Sequence, residues 1–158
     1  MPHPPLTDVT AQPQKHAGSS VRLIVLCFVL AAGTMLSVLA ANRIEPFGVG
    51  SLASMDASVQ YLDLFSYLKD VLSGQNSLIY TFSKTLGGTG IAIYSYYLAS
   101  PLNWLVVLFP KPSLHVFFSV LVLVKIGLAA AACGLFLLRR FHGTLSDVHV
   151  VLLSVCYA

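Results

Sequence analysis

Charged residues are scarce in this sequence: 9% of its 158 residues are Asp, Glu, Lys or Arg, against about 25% in a typical soluble domain. Too few charges remain to cover a globule, since 56% of the residues are apolar and the mean hydropathy is +0.80. These values exclude an ordinary soluble enzyme and predict an integral membrane protein. The net charge of +3 is small and dispersed, so it does not indicate nucleic-acid binding.

Cysteine is equally sparse. Cys27, Cys133 and Cys156 lie in apolar runs, without a CxxC pair or a cluster with histidine. We therefore expect them to pack as small buried hydrophobes and predict no metal site. The phosphate-binding glycine motifs are also missing, so Gly87-Gly88-x-Gly90 predicts a turn with close backbone approach and no nucleotide site.

Hydrophobic runs divide the chain into segments. Residues 1–21, rich in proline, are predicted to form a disordered tail. Residues 22–42 are predicted to form a transmembrane helix, because residues 23–41 carry no charge and would extend about 28 Å as a helix. A cleaved secretory signal is the alternative, which the length of the run and the hydrophobic segments after it disfavour.

A second transmembrane helix is predicted over residues 113–138, followed by a polar loop at 139–147. Residues 148–158 begin a third hydrophobic run that is too short to cross a bilayer, so we expect truncation within a transmembrane helix. The basic residues beside the two spans predict a cytoplasmic N-terminus and a cytoplasmic 139–147 loop. These residues are Lys15, Arg22, Arg139 and Arg140.

Residues 43–112 are consequently predicted to form a long loop outside the cell. The loop holds six of the seven tyrosines and the only tryptophan, residues that favour the membrane–water interface. Within it, residues 91–109 are apolar but interrupted by Pro101 and Asn103, which favours an interfacial or re-entrant helix. A third span is the alternative.

A polar stripe follows helical spacing in this loop, on a predicted helix that ends at residues 72–74. A solvated face of an amphipathic helix explains the stripe, and so does a site with Asp56 as general base. Spacing does not decide between them. The stripe consists of Asp56, Gln60, Asp63, Tyr67 and Asp70.

Several blocks, in order, resemble the N-terminal part of the bacterial YfhO family of multi-pass membrane proteins, over about residues 22–158. The resemblance implies an all-α integral membrane fold: the N-terminal part of a GT-C-like helical bundle with a long outer loop bearing interfacial helices. The blocks are Phe47-Gly48, Ser51, Asp56, Gln60-Tyr61, Phe82-Ser83, Leu86-Gly87-Gly88, Tyr96-Tyr97-Leu98, Ser100-Pro101-Leu102-Asn103 and Leu108-Phe109-Pro110.

The resemblance also implies a glycosyltransferase that takes a sugar from a polyprenyl-phosphate donor at the outer face of the bacterial cell membrane. The acceptor would be an envelope polymer such as lipoteichoic acid. Asp56 matches the essential outer-loop acid of GT-C enzymes, as a general base or as a ligand of a divalent metal if one is needed. Asp63, Gln60 and Tyr61 would support it. Because such proteins are several times longer, this stretch alone is expected to be inactive.

Two cations are candidates for binding the lipid phosphate. Lys125 interrupts the second span, where an ammonium costs about 2.5–3.5 kcal/mol and needs a partner. The phosphate or an ion pair within a helix bundle would satisfy it equally. Arg43 lies at the outer end of the first helix, where it either binds phosphate or anchors the helix. A transporter or flippase component, with Lys125 as a pathway charge, is the alternative function, and an inactive gene remnant is another.

Overall fold

The computed structural model describes residues 17–82, 87–141 and 144–158 of this chain. These residues are mostly helical, and two helical segments are long and apolar enough to cross a membrane, Ser19–Ala41 and Lys111–Arg140. The predicted all-α membrane class is therefore confirmed. Residues 1–16 of the predicted tail lie outside the described residues.

The first long helix, α1, spans Ala17–Ala41, so it begins five residues before the predicted start. Residues 17–21 contain no proline to stop the helix, and the helical turns therefore extend beyond the charge-free run. The second long helix, α4, spans Leu114–Arg140 and ends in Arg139 and Arg140. Two cations in a last turn complement the partial negative charge of the helix C-terminus.

The chain divides into two compact units. The first contains the described residues of Met1–Ala31 and of Gly127–Ala158, including α5 over Asp147–Tyr157. Its helices pack through small residues: a Cβ placed on Gly134 would lie 3.0 Å from the Cys27 sulfur and 3.2 Å from the Ser154 hydroxyl. Such close approach is how helices associate in lipid, where no hydrophobic force drives them together.

Cysteine burial in the first unit follows the prediction only in part. Cys27 is fully buried, whereas Cys156 is exposed on α5. Among the described residues, only one side of α5 is buried, the side of Val150 and Ser154. Cys156 is therefore exposed to the surroundings.

The second unit, Ala32–Ile126, holds the segment between the long helices. A π-helical turn at Ala57–Tyr61 continues directly into helix α2, Leu62–Leu72. Strand β1 (Tyr80–Thr81) pairs antiparallel with β2 (Gly88–Thr89), with Tyr80 opposite Thr89. Helix α3 (Gly90–Ile93) then continues into a second π-helical turn, Tyr94–Leu98.

Two 3₁₀ helices, Pro101–Leu108 and Lys111–Ser113, lead from this turn to α4. The second unit has an aromatic core built from α2, the 3₁₀ helix and the start of α4. The rings of Phe65 and Phe117 meet edge to face, with centroids 5.1 Å apart and an interplanar angle of 86°. Such a pair contributes about 0.5–1.5 kcal/mol beyond the area that it buries. The buried set is Phe65, Tyr67, Leu68, Ile93, Leu98, Val106, Leu114, Phe117 and Leu121.

The apolar run predicted as an interfacial or re-entrant helix is broken. Its halves, Gly90–Leu98 and Pro101–Leu108, are bent by 100° relative to each other. Pro101 has no N–H to continue the preceding helix, and Ser100 is extended, as residues before proline usually are. A straight third span is therefore excluded in this structure.

Candidate functional site

The polar stripe lies on a helix whose first turn is π-helical and not α-helical. The π-helical turn at Ala57–Tyr61 has i→i+5 hydrogen bonding, which widens the helix by one residue. Residues before it are thereby rotated relative to α2. The helix ends at Leu72 before Ser73 and Gly74, as predicted from those residues.

A cavity of about 170 Å³ opens between α2, β1, α3 and both π-helical turns. Gln60, Asp63 and Tyr67 of the predicted stripe line it together. This volume is below the 300–1,000 Å³ of typical ligand pockets, so the cavity suits one small polar unit. The full lining is Val59, Gln60, Asp63, Leu64, Tyr67, Thr81, Ile93 and Tyr97.

Tyr97 of the second π-helical turn lines this cavity, and Tyr61 of the first π-helical turn packs against the Tyr97 ring without lining the cavity itself. The Tyr61 and Tyr97 rings meet edge to face, with centroids 5.5 Å apart and an interplanar angle of 89°. Single π-helical turns interrupt helices most often at functional sites. The site therefore combines an aromatic wall with a carboxylate from Asp63 and an amide from Gln60.

Tyr67 fixes the floor of the cavity. Its side chain is 5% exposed, and its hydroxyl donates a hydrogen bond of 2.7 Å to the Ser77 carbonyl. The same hydroxyl occupies the space where a side chain on Gly90 would begin. Burial raises the pKa of the Tyr67 phenol above its ordinary value, because the phenolate is poorly solvated there.

We expect Tyr67→Phe to lower the free energy of unfolding by about 1 kcal/mol at neutral pH, through loss of the hydrogen bond. A raised pKa in the folded state means that this contribution is complete below pH 10.0, the ordinary value, and declines as the pH rises above it. The difference between the two proteins should therefore shrink in alkaline buffer. Denaturant unfolding in detergent at neutral and alkaline pH measures it, and a constant difference would contradict the buried phenol.

The structure does not bring the whole predicted stripe together. Asp56 stands at the N-terminal cap of the π-helical turn, exposed, without a capping hydrogen bond from its side chain, and outside the cavity. Met55 before it has a φ of +50°. Asp70 instead pairs with Lys111 at 2.7 Å. The π-helical turn changes the helical register between Asp56 and α2, whereas Asp70 keeps regular α-helical spacing from Asp63 and Tyr67 and is occupied by Lys111 instead of lining the cavity.

Arg43 lies just beyond α1, in the backbone conformation that usually requires glycine. Its φ is +52°, and the Ile44 amide bonds the Leu39 carbonyl while the Arg43 amide bonds that of Ala40. This is a Schellman ending with Arg43 at the left-handed position, which costs a non-glycine residue about 1 kcal/mol. Its side chain is exposed at the end of the helix.

The start of α4 lies beside the residues that follow α1. His115 Nε2 is 3.2 Å from Glu45 Oε1, so the segment between the two long helices begins and ends on the same side. Lys125 lies eleven residues along α4 from Leu114, or about 16 Å deeper at 1.5 Å per residue. Its side chain is exposed, with no ion pair among the described residues. The two candidate cations thus lie at different depths.

In the described residues no three His, Cys, Asp or Glu side chains lie close enough to hold a metal ion. A magnesium ion is often bound through one or two carboxylates together with substrate phosphates. A divalent metal acting here would therefore need ligands from the substrate or from other residues.

Sequence reasoning did not identify Thr81 or Tyr97 as part of the cavity. Thr81 is 3% exposed on β1, and Tyr97 lies on the second π-helical turn. Tyr97 belongs to a block that carries the family resemblance, but neither hydrophobic periodicity nor charge separates it from interfacial tyrosines. Contacts between residues in different elements, which periodicity within one helix does not contain, bring these side chains to α2.

Comparison with known proteins identifies one family. The family described as bacterial membrane protein YfhO matches residues 27–158, which include α1 from Cys27 onward, the whole of α4 and the segment between them. No curated protein and no solved structure matches the chain. The matched region, the two membrane-spanning candidates and the apolar composition agree, and the chain belongs to the YfhO family of bacterial membrane proteins.

Proposed function

We propose that this chain forms part of a membrane glycosyltransferase that moves a sugar from a polyprenyl-phosphate donor to an envelope polymer such as lipoteichoic acid. The cavity beside α2 supports the proposal most directly. It joins a carboxylate, an amide and tyrosine rings in the segment between two candidate spanning helices. Sugar hydroxyls both donate and accept hydrogen bonds, and Asp63 and Gln60 offer complementary groups.

The roles divide between the inside and the outside of the cavity. Asp63 and Gln60 hold a sugar unit of donor or acceptor, with Tyr61 supporting the Tyr97 ring of the lining. Asp56, exposed at the helix start, takes the proton from the attacking acceptor hydroxyl. Arg43, at the end of α1, is placed to meet a phosphate at the membrane surface. In this proposal the reaction takes place on the outer face of the membrane, and the N-terminus lies in the cytoplasm.

The test uses bacteria that lack the intact protein containing this sequence, compared with complemented cells. Membranes receive polyprenyl-phosphate carrying a radiolabelled hexose or N-acetylhexosamine, and label is followed into lipoteichoic acid and other envelope polymers. Complementation should restore covalent label in one polymer.

The same experiment distinguishes the proposed enzyme from a transporter or flippase. A transporter or flippase would move the labelled lipid between leaflets without covalent change, and the exposed Lys125 on α4 is the residue that favours this reading. Leaflet sidedness is measured with a membrane-impermeant oxidant of the sugar. Movement of the labelled lipid without covalent transfer would replace the enzyme proposal. If the two strains differed in neither transfer nor lipid movement, both functions would be contradicted.

A further inference from the structure

The two helical segments on either side of the 100° bend are together called the bent pair, and each segment is one limb of it. The bent pair is too short to cross a bilayer. Gly90–Leu98 is at most about 14 Å long and Pro101–Leu108 about 16 Å, from the rise of α and 3₁₀ helices. With the 100° bend their outer ends are about 20 Å apart, against a hydrocarbon thickness of about 30 Å. Each limb is nevertheless long enough to enter one leaflet.

The second limb carries an apolar face that nothing covers among the described residues. Asn103 and Val106 point inward and are buried, whereas Trp104 is 54% and Leu108 75% exposed. Leaving such area in water costs about 25 cal/mol per Å². The exposed face consists of Trp104, Leu105, Val107 and Leu108.

Chain connectivity places this face at the membrane. Leu108 precedes the spanning segment Lys111–Arg140 by three residues, which reach about 11 Å at most. A spanning helix begins at the membrane surface, so Leu108, at the end of the apolar face, is held within that distance of lipid.

Polar groups on the limb are arranged for partial insertion. Trp104 Nε1 donates to the Tyr94 hydroxyl at 3.3 Å, so the indole enters an apolar phase without an unpaired donor. Lys69 Nζ donates to the Val107 carbonyl at 3.0 Å, near the end of the 3₁₀ helix. Lys69 and the Asp70–Lys111 pair place charge next to the C-terminal end of this 3₁₀ helix.

We propose that the face of Trp104, Leu105, Val107 and Leu108 inserts into the lipid bilayer as a shallow wedge, in the leaflet from which the second unit projects. The ring and the aliphatic side chains enter the outer part of the acyl chains. The lysines stay at the level of the head groups, with their stems along the apolar surface. The partner is the bilayer itself.

Trp104 is the only tryptophan in the chain, and its fluorescence therefore reports on this face alone. The protein is reconstituted in phosphatidylcholine vesicles brominated near the carbonyl end, at the middle or near the methyl end of the acyl chains. We expect blue-shifted emission, the strongest quenching from bromine near the carbonyl end, and weak quenching by acrylamide in water.

Three results would overturn the wedge. Strong acrylamide quenching without bromolipid quenching would place Trp104 in water, and strongest quenching from the methyl end would place it at the bilayer centre. Quenching by neither would show that protein covers the ring. Leu108→Ser should roughly halve the bromolipid quenching, and Ile79→Ser, which changes a 72% exposed residue away from this face, should leave it unchanged.

Discussion

Replacing Asp56 with asparagine is expected to lower the rate of sugar transfer by about 10²–10⁴-fold, the usual contribution of a positioned general base. The asparagine keeps the size of the side chain but cannot accept the proton of the acceptor hydroxyl. Asp56 is exposed and caps the helix without a side-chain hydrogen bond, so protein levels and membrane insertion should not change. Transfer assays on membranes that contain equal amounts of the intact protein measure the effect.

Asp63→Asn provides the comparison that locates the base. Asp63 lines the cavity and is assigned to sugar binding, so its loss should raise KM about tenfold while kcat changes little. Asp147→Asn, at the start of α5, is the control carboxylate and should be silent. A large loss of kcat in Asp63→Asn, with normal turnover in Asp56→Asn, would move the base into the cavity and contradict the role of Asp56.

Gly90→Ala is expected to destabilise the second unit by about 1–3 kcal/mol, the usual cost of overpacking. A Cβ at Gly90 would overlap the Tyr67 hydroxyl and the Leu78 carbonyl, and the second of these is backbone that shifts at a high cost. Alanine gains up to about 1 kcal/mol of helix propensity at this position, which is too little to offset the overlap. Denaturant unfolding followed by circular dichroism in detergent measures the difference.

Gly88→Ala is the matched control, two residues earlier. A Cβ there would meet no atom of the described residues within 4 Å, and the stability of this variant should remain within about 0.5 kcal/mol of the parent protein. Combining Gly90→Ala with Tyr67→Phe should recover part of the loss, since the phenylalanine removes one of the two overlapping atoms. Equal stability of the two alanine variants would mean that the chain around Leu78 packs elsewhere.

The long helices could be predicted from the sequence because hydrophobic length alone determines them. An apolar run of nineteen residues between Arg22 and Arg43 has few other solutions in a membrane protein. Pro101 also marks the bend correctly, because a missing amide acts locally. The exact ends were less predictable, since α1 continues through residues 17–21 without apolar character.

The candidate site was only partly predictable. The spacing of Gln60, Asp63 and Tyr67 does bring them to one cavity, because these residues lie in or next to regular α-helix. The position of Asp56 outside the cavity could not be predicted, because no local sequence rule predicts the π-helical turn that follows it. Asp70 pairs with Lys111 across forty-one positions of sequence, a contact that periodicity within one helix does not contain.

The contacts that join α2 to the bent pair and to Lys111 affect how the protein responds to lipid thickness. Lys69 and Asp70 belong to the same helix as the cavity and hold the 3₁₀ helix and Lys111. If the wedge follows the surface of its leaflet, then α2 follows it too, and the cavity keeps a constant height above the acyl chains when the bilayer thins or thickens. A substrate whose phosphate is anchored in the same leaflet would rise and fall by the same amount.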